Sequence, residues 1–205
     1  MKLSKIAAII KRGKKIVTVN VSGTQWIGTG SCFYPLNDMP MLDRNALFAL
    51  FDIPNEKRED YAVQVNIPHP GIVFDDAEAS EALVQRGGIE IIFGGTVLSI
   101  LETSQGIEFI NSRLLVPFAD EENGFELYER TTEAGQTYFA VKSGFLLLGL
   151  IWPVRVDLDV LKRELETWVA LCGMKQFNDR SRKEDEMRQM GLFAPEEGDG
   201  NDEED

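Results

Sequence analysis

The single histidine of the chain, His69, lies in Ile67-Pro68-His69-Pro70-Gly71, where an imidazole could act as a general base if a nucleophile reached it through space. No such partner is evident in the sequence, and the flanking prolines describe a rigid exposed loop. Gly28-Thr29-Gly30-Ser31 has glycine spacing that could bring backbone N–H groups against a phosphate. It lacks the lysine and the following helix of a phosphate-binding loop, so a strand relieved by glycines is the better reading. Acids cluster at Asp75, Asp76 and Glu78, and again at Asp120, Glu121 and Glu122. Neither cluster has the spacing of a calcium loop or a nuclease core, so solvated loops are expected. Cys32 and Cys172 stand far apart without a CxxC or Cys/His set, which argues against zinc and against a disulfide scaffold. Both read as small core residues, and Trp26, Tyr34 and Trp152 as core or interface aromatics. No catalytic residue, metal or cofactor is assigned, and the expectation is a protein that is not an enzyme.

Charge is unevenly distributed. The chain has 205 residues and a formal net charge of −13. Seven acids without a base fall at its end: Glu196, Glu197, Asp199, Asp202, Glu203, Glu204 and Asp205. The opposite end carries Lys2, Lys5, Lys11, Arg12, Lys14 and Lys15 and no acid among its first fifteen residues. Those six cations are candidates for nucleic-acid contact, although the field of the whole chain opposes DNA, and a solvated helix face is the plainer reading. With 43% hydrophobic residues the chain can bury one sizeable core, or two small ones, and one compact domain plus a tail is expected. No apolar run reaches the ~18 residues of a membrane span. No cleavable leader is evident either, and a cytoplasmic protein without membrane contact is expected.

These residues must be positioned by the elements around them. Leu3, Ile6, Ala7 and Ile10 recur at helical spacing, predicting an amphipathic helix over 3–12 that ends at Gly13. Residues 15–21 are a β-branched strand, Ser22-Gly23 a turn, and a second strand with glycine breaks runs to Tyr34. Asp43 should cap a short helix carrying Leu47, Leu50 and Phe51, with Pro54 stopping it. A strand over 61–67 precedes a loop from 68 to 88, with a short helical turn near Ser80 to Leu83. Strands then dominate: 89–93, 96–103, 107–110 after a turn ending at Gly106, and a hairpin of FELYER and TYFAVKS about Gly135. The run through Trp152 reads as a buried strand. Asp157 should cap a final helix with Leu158, Leu161, Leu165, Trp168 and Cys172 as its apolar stripe.

Two resemblances bear on function. Gln189-Met190-Gly191-Leu192-Phe193 is similar to the peptide by which bacterial DNA polymerases and repair proteins dock on the sliding clamp, with Gly191 where Ser or Asp is usual. The resemblance implies that Leu192 and Phe193 fill an apolar pocket while Gln189 supplies oriented hydrogen bonds. The alternative is a tail that folds back to cover an apolar patch. Residues 109–156 run as turn, short apolar segment, acidic break, strand, hairpin, strand and a closing Pro153-Val154-Arg155. That order resembles the second half of one sliding-clamp domain, and the basic helix followed by a strand pair resembles its first half. Residues 1–156 would then supply about one domain of a ring closed by further copies.

The expected fold is α+β: a mainly antiparallel sheet with an N-terminal amphipathic helix, a C-terminal helix and a flexible acidic tail. A single domain over 1–173 would be followed by a charged extension over 174–188 and a disordered tail over 189–205. The expected function is a non-enzymatic accessory protein of bacterial or phage DNA replication that binds the sliding clamp through its tail. Two alternatives stay open. One is an acidic, phage-type inhibitor or DNA mimic that occupies the cationic channel of a nucleic-acid enzyme, such as a host defence nuclease. The other is a small enzyme whose site assembles only in space. A homodimer through exposed strand edges is compatible with the pattern.

Overall fold

The computed structural model describes residues 2–189 except Pro70 and Asn123. Two compact units divide at Arg155/Val156, ahead of the last helix, whereas the sequence pattern placed the boundary after residue 173. In the first unit, helix α1 (Leu3–Gly13) leads into strands β1 (Lys15–Val21), β2 (Thr24–Gly28) and β3 (Cys32–Leu36). Helix α2 (Arg44–Leu50), a 3₁₀ helix (Asn55–Asp60) and the short β4 (Ala62–Gln64) follow. After a loop come β5 (Ala82–Phe93), β6 (Thr96–Thr103) and β7 (Gly106–Asn111), then a second 3₁₀ helix (Ser112–Phe118). Strands β8 (Glu126–Thr131), β9 (Thr137–Ser143) and β10 (Leu146–Ile151) complete the unit.

The strands lie in the order β4-β1-β2-β3-β10-β9-β8-β5-β6-β7. Every pairing is antiparallel except β1 with β4. The fold is thus the expected α+β arrangement. Pairing of β3 with β10 joins the two halves of the chain at Phe33↔Leu150 and Cys32↔Ile151, a join that no local signal announces.

Side-chain alternation along the strands separates two cores. Ile16, Ile27, Tyr34, Phe139 and Ile151 face α1, α2 and the second 3₁₀ helix, packing with Ile6, Ile10, Leu47, Phe48, Leu115 and Phe118. Val17, Trp26, Phe33, Tyr138 and Leu150 face the other way, against Ile67, Ile72 and Phe74 of the loop after β4. A register shift between Leu147 and Gly149 keeps β10 in phase with both cores. Glycine is required there, because a Cβ on Gly149 would lie 2.6 Å from Phe118 Cζ and 3.0 Å from the Phe33 carbonyl oxygen.

Local signals act as expected at several places. Ile6 and Ile10 are buried on α1. The helix stops because Lys14, rather than Gly13, takes the left-handed conformation, at φ 48°, and its N–H donates to the Ile10 carbonyl. Asp43 caps α2, its Oδ1 accepting from the Ala46 N–H at 2.8 Å. Two expectations change. Residues 82–88 begin β5 instead of ending a loop, with Val84 buried and paired to Leu127. A register shift between Arg86 and Glu90 takes up Gly87 and Gly88, the pair that suggested a break. The second expected strand is likewise two, β2 and β3, separated by the turn at Gly28–Ser31.

The second unit holds helix α3 (Leu158–Gln189), which continues through Gly173 as one helix of 32 residues. Asp157 caps it, accepting from the N–H groups of Asp159 and Val160 at 3.0 and 3.1 Å. Leu158, Leu165 and Trp168 are 53%, 55% and 65% exposed, and Cys172 is exposed rather than a core residue. Among the described residues no helix is long and apolar enough to cross a membrane. Leu192, Phe193 and the seven terminal acids lie outside the described residues.

Candidate functional site

The six N-terminal cations do not form one free patch. Lys2 and Lys5 both reach Asp120, at 3.0 and 2.5 Å, and Lys14 reaches Asp60 at 2.9 Å. Hydrogen bonds from Lys5 and then Lys2 hold the Asp120 carboxyl below its usual range. The hydrogen bond to Asp60 raises the Lys14 ammonium. Asp120, expected to be a solvated acid, therefore ties the start of α1 to the chain beyond the second 3₁₀ helix. Among the described residues, Lys11, Arg12 and Lys15 have no such carboxylate.

Beside that helix lies a groove of about 600 Å³, built from three separate segments. The side of α1 contributes Ser4, Lys5, Ala8, Ile9 and Arg12. Thr29 and Ser31 come from the turn between β2 and β3, and Asn111, Arg113, Leu114 and Val116 from the end of β7 and the 3₁₀ helix after it. The turn is tight: a Cβ on Gly28 would overlap the Cys32 carbonyl oxygen, and Gly30 sits at φ 90°. Both glycines are required by geometry, and the Thr29 and Ser31 hydroxyls lie 3.0 Å apart. The 3₁₀ segment is also fixed. Asn111 Oδ1 accepts from the Arg113 N–H at 3.1 Å, and Tyr34 Oη donates to the Leu114 carbonyl at 2.9 Å.

No family model, curated protein or solved structure matches the chain. The functional reading therefore rests on the residues themselves.

Groups that could do covalent or acid–base chemistry are placed as structural parts. Burial pushes the Cys32 thiol up and the Tyr34 hydroxyl well up, so both stay protonated at neutral pH. His69 packs edge-on against Phe33, with ring centroids 4.9 Å apart, and its Nε2 is buried without a hydrogen-bond partner. Burial lowers its pKa, making it a neutral imidazole at the edge of the second core rather than an exposed loop residue. Among the described residues no group of three or more His, Cys, Asp or Glu side chains could hold a metal ion.

The acidic cluster before β5 has a definite role that spacing did not reveal. Arg130, fully buried on β8, donates to Glu81 Oε2 from Nε and Nη2 at 2.9 and 2.6 Å. Its other N–H groups reach the carbonyls of Val73, Asp75 and Asp76 at 3.1, 3.0 and 3.4 Å. Lys142 binds the second oxygen of Glu81 at 2.5 Å, and Asp76 Oδ1 accepts from the Leu147 N–H at 2.8 Å. These carboxylates secure the loop to the sheet and are not solvated ornaments of it. The only sequence signal for this was a paired set of opposite charges, and pairs 49 and 61 positions apart cannot be matched without the fold.

Proposed function

We propose that this chain is a non-enzymatic accessory protein of bacterial or phage DNA replication, docking on the sliding clamp through Gln189, Leu192 and Phe193. The supporting observation is the position of the peptide: Gln189 is the last residue of α3, a helix of 32 residues in a unit separate from the sheet. At 1.5 Å per residue such a helix spans about 48 Å. It would serve as an arm carrying a short apolar peptide to a pocket on another protein, while residues 1–156 form a clamp-like body. The setting would be cytoplasmic.

Fluorescence anisotropy of the labelled full chain with a purified bacterial sliding clamp tests this. Binding is expected with the intact chain and at least tenfold weaker with Leu192→Ala/Phe193→Ala. Equal binding by the two, or none by either, would sink the proposal. A second reading is favoured by the excess of 34 acids over 21 lysines and arginines, with Lys2, Lys5 and Lys14 of the one basic element already engaged by Asp120 and Asp60. In that reading the chain is an acidic inhibitor of a nucleic-acid enzyme. Its binding would survive the double substitution and fall steeply with salt.

A further inference from the structure

We propose that the groove between α1, the Gly28–Ser31 turn and the 3₁₀ helix at Arg113 binds a phosphate-bearing ligand of mononucleotide size. This goes beyond the docking role and depends on none of the tail residues.

The argument begins with charge. The chain has 34 acids against 21 lysines and arginines, so an unpaired cation has many carboxylates available to it. In the sheet unit Lys2, Lys5, Lys14, Arg86, Arg130 and Lys142 take one, Lys5 being itself part of the groove's lining, and Arg44 and Arg58 sit over the Phe48 ring instead. Among the described residues, Arg12 and Arg113 line the same groove without a carboxylate partner, and no acid lines it with them. Two guanidinium groups offer forked donors that match phosphate oxygens two at a time.

Hydroxyl and amide donors complete the polar side. Ser31 and Thr29 stand on a tight turn that only glycine fits at Gly28 and Gly30, and their hydroxyls are hydrogen-bonded to each other, which orients them before a ligand arrives. Lys15 adds charge behind that turn, since its Nζ lies 3.2 Å from where a Cβ on Gly30 would be. Asn111 uses Oδ1 to accept from the Arg113 backbone, leaving its amide N–H groups to donate. Ile9, Leu114 and Val116 add apolar surface to the lining, and Val116 is 44% exposed. A cavity of about 600 Å³ whose lining combines two arginines with apolar side chains suits a phosphate joined to a flat ring.

Isothermal titration calorimetry on the full chain would use deoxyadenosine monophosphate, deoxyadenosine, inorganic phosphate and a short oligodeoxythymidine. The mononucleotide should bind and the phosphate-free nucleoside should not. Arg12→Ala and Arg113→Ala should each weaken binding at least tenfold while circular dichroism melts stay unchanged. Arg113→Lys, which keeps the charge and loses the fork, should fall between. Tighter binding of the oligonucleotide, lost with the same arginines, would assign the phosphate to a strand backbone rather than a free nucleotide. The proposal is overturned if no phosphate-bearing probe binds, or if binding is the same without Arg12 and Arg113.

Discussion

The two faces of the sheet are covered in different ways. On one, α1, α2 and the 3₁₀ helix at Arg113 lay regular structure over an apolar core that includes Ile10, Phe48 and Phe118. On the other, residues 67–81 cross the sheet as a loop, with Ile67, Ile72 and Phe74 as their apolar anchors. Helices satisfy their own backbone groups, so apolar contact suffices to hold them. A loop does not, and buried carbonyls without donors are costly. Arg130 resolves this by directing all five of its N–H groups into the loop and Glu81. Burying that ion requires partners on every side, so the loop-covered face depends on a few residues far more than the helix-covered face does.

The largest expected effect of breaking that difference is from Arg130→Ala, which leaves Glu78, Glu81 and three carbonyls without their shared partner. About 3–5 kcal/mol of stability should be lost, seen as a fall in melting temperature of roughly 10 °C. Limited proteolysis should cut the Arg130→Ala chain first within 67–81. Phe118→Ala, on the helix-covered face, should cost a similar total without favouring cleavage in that loop. Equal protection of the loop in both variants would show that the two faces are not held differently.

Acid should loosen the loop-covered face first. Burial raises the Glu81 carboxyl, but hydrogen bonds from Lys142 and Arg130 outweigh it and hold the group below its ordinary 4.5. A depressed carboxylate gives stability that is fully present above about pH 4.5 and is lost as pH falls through the folded value. His69 acts in a higher window. Its folded pKa is lowered from 6.5 by burial, so the unfolded chain takes up the proton first and stability begins to decline below about pH 6.5. Hydrogen exchange between pH 7 and 4 should show protection falling in 67–81 before it falls in α1, and His69→Gln should remove the upper step. Simultaneous loss in both regions would contradict the assignment.

The smallest effect should come from Asp60→Asn, which breaks an ion pair to Lys14 that lies outside both cores and is exposed on both sides. No measurable change in the melting temperature is expected. A clear fall would mean that exposed pairs hold the fold alongside Arg130 and Glu81.

Much of the fold was legible because its signals are local. The helical spacing of Ile6 and Ile10, the caps at Asp43 and Asp157 and the hairpin of β8 and β9 each act within a few residues. The strand at 82–88 was not legible, because Gly87-Gly88 imitates a break that only pairing with β6 overrides. Cys172 and the α3 stripe show the opposite limit: periodicity identifies an apolar face and cannot say whether anything covers it. Of the groove, the basic helix and the glycine turn were visible as separate features, and nothing in the linear pattern pointed to Arg113.

Residue order alone was enough to place most of the helices and strands, to show which strand residues alternate, and to show that a Gln-x-x-Leu-Phe peptide follows a charged helical segment. Periodicity, capping and turn chemistry operate over spans of two to four residues, so they survive in a linear reading. It took the folded chain to establish that Arg130 meets Glu81, that Lys5 meets Asp120, and that Arg12, Ser31 and Arg113 share one groove. Those meetings join residues 49, 115 and about a hundred positions apart. They exist because the strand order brings distant segments side by side, and charge selects its partner by distance in space.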